Sequence, residues 1–457
     1  MINRTNNILF IVHKVISLLE RLVRYDTRTN ENLPGKEVKD LFEKEIEPLL
    51  KKYDFDVEYF ESKGHHSILA HRDGIEPSIL FNGHVDVVPW DDRWETDPRT
   101  LIIDEELGEE IVKGRGVSDM KSGIAALMIA LPEIAKSDLS IYFAITGDEE
   151  IGGEDGTKII VDYLARENKL PLYVITADAA GMEIITRRRN VFDIFISSKK
   201  SFRKVLGKKE KKIFQTNIVS SLTSHAAYYK KEKDIHCLKE GMIFLQENGY
   251  FPVSISGSFV KINVVPDKIE LEYIIPSDEG EEHEFDEGLK ALLEFGSKVM
   301  DISFETQAQS DYGINSTANV IHNEANSWNM EIDIRAMLDK NAEELDGALL
   351  LILDEINWDL DMVVKKSIGF IATPDNSPLV ESTTNILNEL GYPDKSAERG
   401  GATDGRFFAK HDIQTIDIGA IGWNVHGPNE TSTIKSIVDL VRFFELVPQR
   451  LKKYYKN

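Results

Sequence analysis

Four polar segments, Gly83-His84-Val85-Asp86, Gly116-Val117-Ser118-Asp119, Asp148-Glu149-Glu150 and Val425-His426-Gly427, are scattered from residue 83 to residue 427. Apolar runs such as Ser78-Ile79-Leu80-Phe81 and Ile141-Tyr142-Phe143-Ala144-Ile145 precede them and read as buried strands. Strand ends are where α/β folds place chemistry. The spacing is too long for one local loop, so the fold has to gather the four segments.

A chain of 457 residues exceeds what one hydrophobic core usually serves, so two domains are expected. Between Ile79 and Asp178, strands at Ile79 to Phe81, Leu139 to Ile145 and Leu172 to Thr176 alternate with helices at Gly123 to Ile134 and Gly156 to Glu167. That alternation predicts an α/β domain with a largely parallel sheet covered by helices. After about Asn190 the texture changes to clearly alternating strands at Lys268 to Ile275 and Asn329 to Ile334. Helices are expected there at His236 to Gln246, Glu284 to Val299 and Glu343 to Ile356. This is the pattern of an α+β domain with an antiparallel sheet solvated on one face. From about Pro378 helix-strand alternation returns, with Leu379 to Leu390, Gly405 to Lys410 and Thr415 to Ile418. The first domain is therefore expected over residues 1–190 and 371–457, interrupted by a second over 191–370.

A formal net charge of -24 argues against nucleic-acid binding, because phosphate contacts need an excess of Lys and Arg. The Lys-rich loop from Lys199 to Lys212 is read as a solvated hairpin extension, since no aromatic ladder accompanies it and the chain is acidic. The apolar run Ile8 to Val12 is too short for a membrane span and reads as the start of the first helix. Cys237 is the only cysteine, which excludes an intrachain disulfide and fits a cytoplasmic location.

His supplies a neutral nitrogen and Asp or Glu hard oxygens, the mixture that divalent ions accept in hydrolytic sites; a zinc knot built from thiolates is ruled out. Asp86 stands two residues after His84, on the same side of an extended strand, where its carboxylate can accept the second imidazole proton. Adjacent Glu149 and Glu150 can divide two tasks, one binding metal and the other taking a proton from water. Singly, each motif also fits a surface pair, a cap or a solvated face.

Taken in order, the segments resemble a known family. Phe81 to Pro89, Gly114 to Gly123, Thr146 to Gly153, Gly400 to Phe407 and His426 to Glu430 are similar to the motifs of the metallopeptidase family that contains acetylornithine deacetylase, succinyl-diaminopimelate desuccinylase, aminoacylase, carnosinase and glutamate carboxypeptidase. Within it, Gly181 to Arg189 and Ser224 to Tyr228 resemble an archaeal peptidase branch. The resemblance implies a zinc-exopeptidase-like, doubly wound catalytic domain with an inserted α+β lid of the dimerisation type.

It further implies that His84, Asp119 and Asp178 hold one metal and that Asp119, Glu150 and His426 hold another, with Glu149 as general base. For Asp178 a helix cap is the competing reading. The peptide bond after Asp119 is expected to be cis. His225 matches the family's lid histidine, which donates to the oxyanion, often from a neighbouring subunit; Asn319 and Arg335 match residues that meet the substrate carbonyl and a substrate carboxylate. Arg406 is a further candidate carboxylate anchor. Two departures stand out: His322 replaces a common Pro, and a second Asn-Val-Val-Pro at Asn263 to Pro266 competes with the Asn319 motif.

The expected protein is a cytoplasmic enzyme with two Zn2+, or Co2+ or Mn2+ in the same ligands, that cleaves an amide bond of a small peptide. The alternative is an N-acyl amino acid deacylase of the acetylornithine deacetylase or succinyl-diaminopimelate desuccinylase type, and the remote one a non-catalytic ligand binder. No nucleic-acid or membrane partner is expected, and a homodimer through the lid follows the family habit.

Overall fold

The structure is a computed structural model that describes residues 2–29, 35–106, 108–220, 225–303, 314–338, 342–367 and 370–455, with side chains from residue 9 onward. The chain divides into two compact units, Met1–Arg188 with Ile371–Arg399 and Thr403–Asn457, and Arg189–Phe370 with Gly400–Ala402. Among the described residues, no helix is long and apolar enough to cross a membrane.

In the first unit a nine-stranded sheet runs in the order Asp56–Ser62, His65–Arg72, Leu139–Thr146, Ile75–His84, Tyr173–Thr176, Gln414–Asp417, Ile184–Arg188, Ile371–Ala372, with Ser396–Arg399 also paired to Ile184–Arg188. Its four central strands are parallel, with Phe81 opposite Phe143 and Ile175, and Ile416 opposite Ile175. The outer pairs are antiparallel apart from Ser396–Arg399, so the sheet is mixed rather than parallel throughout.

Alternation along the strands divides the core in two. Ile79, Phe81, Ile141, Phe143 and Ile145 pack with residues of the helices Lys121–Ile134 and Ile434–Tyr454, whereas Leu80, Tyr142, Ala144 and Val174 pack with Ile160, Leu164 and Phe408. Both faces are thus dry, and the polar residues fall at the strand ends. A small antiparallel sheet, Gly422–Trp423, Thr431–Thr433, Glu109–Lys113, Ile102–Glu106, carries the loop with His426 between its first two strands.

The second unit holds two four-stranded antiparallel sheets. One has the order Asn315–Asn323, Ser327–Ala336, Asn190–Lys199, Leu360–Ser367; the other is built from Phe251–Gly257, Lys268–Pro276, Phe202–Gln215 and Glu281–Asp286. Phe192, Ile194, Met330, Ile332, Leu289, Leu292 and Phe295 form part of its core.

The Lys-rich stretch is not a loop: Phe202–Gln215 is a strand of fourteen residues. Two of its lysines and its arginine are matched by acids of neighbouring segments, Lys204 by Glu282, Lys211 by Glu270 and Arg203 by Glu287, each at 2.8 Å. Opposite charges across a ladder let a strand with few apolar residues stay paired. The helix expected from Glu284 instead begins at Glu287, because Asp286 accepts the N–H groups of Gly288 and Leu289 as its N-cap and the residues before it are strand.

Candidate metal centre

His84 is the last residue of the strand Ile75–His84, and its position is tied to the turn that follows. Nδ1 lies 3.0 Å from the carbonyl oxygen of Asp86 and 3.4 Å from its Oδ1, leaving Nε2 to face Asp119 Oδ1 at 3.1 Å. The nearest acceptor for the second imidazole proton is therefore the Asp86 carbonyl. Its carboxylate accepts the N–H groups of Glu149 (3.2 Å) and Glu150 (3.1 Å), capping the short 3-10 turn Glu149–Ile151 at the end of the strand Leu139–Thr146.

Asp119 sits in the loop before the helix Lys121–Ile134, and its peptide bond to Met120 is cis. Its other oxygen, Oδ2, lies 3.0 Å from His426 Nε2, which in turn is 3.0 Å from Glu150 Oε2. One carboxylate thus faces both imidazoles. Asp178 follows the strand Tyr173–Thr176, with Oδ2 3.9 Å from His84 Nε2. Ligand atoms of His84, Asp119 and Glu150, and of His84, Glu149 and Asp178, each fall within 4.8 Å of one another. All six residues belong to the first unit.

The electrostatics match a site for divalent cations. Burial and then the charge of Asp119 push the carboxyl of Asp178 up to about 8, and the same two causes raise Glu150. Glu149 is raised well above the usual range, by burial and then by Asp178. Burial would depress both imidazoles, but hydrogen bonds to Asp119 and Asp86 lift His84, and Glu150 and Asp119 lift His426 to about 11. Burial would also raise Asp119, yet His426 and His84 hold it far below the normal carboxyl range. So many carboxylates can ionise together only beside added positive charge. Imidazole nitrogen and carboxylate oxygen, with no thiolate, are donors that suit such ions.

Four buried residues around this group, Arg188, Thr403, Asp404 and Asp417, were not singled out by sequence reasoning. Arg188 donates through Nε to the carboxylate of Asp417 and through NH2 to the carbonyl of Asp178 (2.9 Å), and Thr403 donates to Asp417 Oδ2 (3.1 Å). Asp404 Oδ2 accepts the hydroxyls of Thr157 (2.5 Å) and Thr146 (3.3 Å). A strand ending Thr186-Arg187-Arg188 inside an apolar neighbourhood is the one signal that could have found Arg188, since a buried Arg needs a partner. Arg406 hydrogen-bonds the carbonyls of Thr403 (3.2 Å) and Gly152 (2.5 Å) and is 4% exposed. These two bonds brace the turn after Glu150.

His225, Asn319 and Arg335 lie in the second unit; Thr223 and Ser224 are outside the described residues. Nδ1 of His225 accepts the N–H of Ala227 (3.0 Å), which in the neutral ring leaves the proton on Nε2. Asn263 Nδ2 is 3.4 Å from that Nε2, while Asn263 Oδ1 has no hydrogen-bond partner; turning the amide over would pair Nε2–H with Oδ1. Asn319 is buried, its amide donating to Ile262 O (2.5 Å) and Thr317 Oγ1 (2.9 Å) and its Oδ1 facing His236 Nε2 (3.1 Å).

Arg335 grips Asp333 with two nitrogens, at 2.9 and 2.8 Å. Asp333 stands directly across the ladder from Asp193, whose carboxyl is raised to about 6 by burial and then by Asp333. A carboxyl raised in the fold costs stability fully above the folded pKa, and that cost fades as pH falls toward the unfolded value. Asp193→Asn is therefore expected to stabilise the protein by about 1–3 kcal/mol at pH 8, with a smaller gain at pH 5. Urea midpoints at the two pH values measure this; a gain independent of pH would refute it.

The profile of peptidase family M20/M25/M40 matches residues 80–450. A succinyl-diaminopimelate desuccinylase of Nautilia profundicola is 24% identical over 434 residues, 95% of this chain and 98% of that one. Among solved structures, aminoacylhistidine dipeptidase from Vibrio alginolyticus superposes with a TM-score of 0.69 at 12% identity, over 96% of both chains. The metallo-carboxypeptidase Sso-CP2 from Sulfolobus solfataricus gives a TM-score of 0.61 at 15% identity, over 95% of this chain and 99% of that one. At these identities the structural likeness shows a shared fold.

Proposed function

The chain belongs to peptidase family M20/M25/M40 and is a hydrolytic enzyme, and from that premise we propose that it is a dinuclear metal-dependent exopeptidase acting on small peptides. The observation that carries this reading is the single carboxylate of Asp119 facing His84 on one side and His426 on the other, with Glu149 alongside. His84, Asp119 and Asp178 would hold one ion, and Asp119, Glu150 and His426 the other. Zinc suits the donor set, as cobalt or manganese would, and the bound ions would supply Lewis acidity toward the amide carbonyl and toward water.

The chain's own groups do the rest. Glu149 accepts a proton from the attacking water and passes it to the departing amine nitrogen; burial beside Asp178 makes its carboxylate more basic than a solvated one. Asp86 orients two of the partners at once, His84 through its carbonyl and the Glu149–Ile151 turn through its carboxylate. In the second unit, proposed as the lid, His225 offers Nε2–H to the carbonyl oxygen as negative charge develops there. Asn319, Arg335 and Arg406 are proposed to meet the substrate carbonyl and a substrate carboxylate; in the structure Asn319 bonds His236 and the Ile262 carbonyl, and Arg335 bonds Asp333. We place the enzyme in the cytoplasm, where the thiol of buried Cys237 stays reduced, and expect it to pair through the lid.

A second reading, deacylation of an N-acyl amino acid, is favoured by the desuccinylase named among its relatives. Both reactions break an amide beside a carboxylate, so the pocket alone separates them. Release of free amino groups from dipeptides, tripeptides and N-acetyl and N-succinyl amino acids by metal-loaded protein tests the two. Peptide cleavage is expected to exceed deacylation; turnover confined to the N-succinyl compounds would replace the first reading by the second, and no turnover with two ions bound would refute both.

A further inference from the structure

Glu430 is 0% exposed, and its carboxylate is wrapped by donors from one short segment of chain. Oε2 accepts Arg115 NH1 (2.8 Å) and the Gly116 N–H (3.0 Å), and Oε1 accepts the N–H groups of Ser118 (2.7 Å) and Asp119 (3.0 Å). The register of the small sheet brings them together: Thr431 lies opposite Lys113, so the next residues, Glu430 and Gly114, are neighbours, and the Gly114 N–H donates to the Glu430 carbonyl (3.1 Å). From that point one chain runs on to Asp119 and the other back to His426.

Arg115 closes the loop. Its NH2 reaches the carbonyl of His426 at 3.4 Å, and its guanidinium lies 5.1 Å from the centre of the Trp94 ring. His426 has φ of 62°, a left-handed conformation that costs a residue with a side chain about 1–2 kcal/mol and persists only when its surroundings hold it. Asn424 helps, its carbonyl accepting the Gly427 N–H (2.8 Å) and its amide donating to the Asn429 carbonyl (3.2 Å).

We infer that Glu430 is a positioning residue which, with Arg115, clamps Asp119 and His426 in the places from which both would bind metal. The inference rests on the metal-site reading proposed above and adds to it the element that sets the distance between the two loops. The task needs a carboxylate: it has acceptors for four donors, whereas a Gln amide of the same shape offers one oxygen and turns an NH2 toward N–H groups. Glu430 binds no ion itself, since both of its oxygens are already engaged by donors.

Metal-free full-length protein, titrated with Co2+ against a chelating dye and followed by its visible spectrum, tests the clamp. Glu430→Gln is expected to weaken both Co2+ ions together, by at least ~10-fold, and to alter the Co2+ absorption, because Asp119 serves both ions. Arg115→Lys, which keeps the charge but cannot reach Glu430 and the His426 carbonyl at once, is expected to weaken chiefly the ion bound by His426. Thr431→Val, a buried neighbour whose Oγ1 has no partner, should bind like wild type. Thermal melting of each metal-free variant separates lost fold from lost positioning; should Glu430→Gln not fold, Arg115→Lys still tests the clamp through selective weakening of the ion bound by His426, and wild-type affinity for that ion would overturn it. Folded Glu430→Gln with wild-type affinity and spectrum would overturn the clamp alone. Equal damage from Thr431→Val would overturn it too, and a wild type that binds no Co2+ would overturn the metal-site reading together with the clamp.

Discussion

Glu149→Ala is expected to keep both metal ions and lose about 10³-fold in kcat, with KM little changed. The size follows from removing a positioned proton acceptor, which typically contributes about 10²–10⁴-fold. The retained metal follows from geometry. His84, Asp119 and Glu150 form a ligand group without Glu149, and the turn that carries Glu150 is held through backbone N–H groups by Asp86, which the substitution does not touch. Removing a buried carboxyl that burial and Asp178 already disfavour as an anion should also leave the metal-free protein no less stable. Elemental analysis beside steady-state kinetics measures both quantities. Loss of one ion would reassign Glu149 as a ligand, a role that its place within 4.8 Å of His84 and Asp178 makes worth testing. Kinetics near wild type would remove it from the chemistry altogether.

Asp119→Asn is expected to do the opposite, abolishing turnover by stripping the ions rather than by silencing the base. Its two oxygens face different imidazoles, Oδ1 facing His84 at 3.1 Å and Oδ2 facing His426 at 3.0 Å, and an amide has only one oxygen to offer. Metal content should fall below two per chain, and activity by ~10³-fold or more, since both ions lose a charged ligand. Excess Co2+ or Zn2+ should restore part of the activity of Asp119→Asn and none of that of Glu149→Ala. A fully active, metal-replete Asp119→Asn would end the shared-ligand reading.

Much of the site was legible because its residues end strands whose apolar alternation is strong. Ile79 to His84 and Leu139 to Thr146 give their direction and end points in the sequence, and the polar groups at those ends come together whatever the loops do. Asp178 was harder, being marked only by the short strand before it; what holds it in place is Arg188, bonded to its carbonyl from a strand whose partner Asp417 lies far along the chain. Side chains that bond backbone leave no pattern in sequence. Glu430 was visible as the last residue of a motif, but its four donors come from residues more than three hundred positions away.

Two segments depend on partners that the sequence does not display. A stretch with eight basic residues between Lys199 and Lys212 is legible as solvated, and most of it is exposed, but its strand becomes evident only when Glu270, Glu282 and Glu287 are known to lie alongside. Arg406 reads as an anion anchor by residue type, and the two backbone carbonyls that take two of its five N–H donors leave no pattern in sequence. In both cases the residue chemistry is legible in the sequence and the intramolecular partner is not.

The order of strands in the large sheet also governs how the chain leaves the ribosome. Gln414–Asp417 lies between Tyr173–Thr176 and Ile184–Arg188, and Ile371 pairs with Arg188, so the second unit departs and returns through neighbouring strands. At about 5–20 residues per second, roughly 10 to 45 s separate synthesis of Arg188 from that of Asp417. Throughout that interval the outer edge of Tyr173–Thr176 has no strand to pair with, while the inserted unit, nearly all of it contiguous in sequence, can already close its own core. The part of the protein made first is thus finished last, and a nascent chain arrested before residue 414 exposes an apolar strand edge to any other chain nearby.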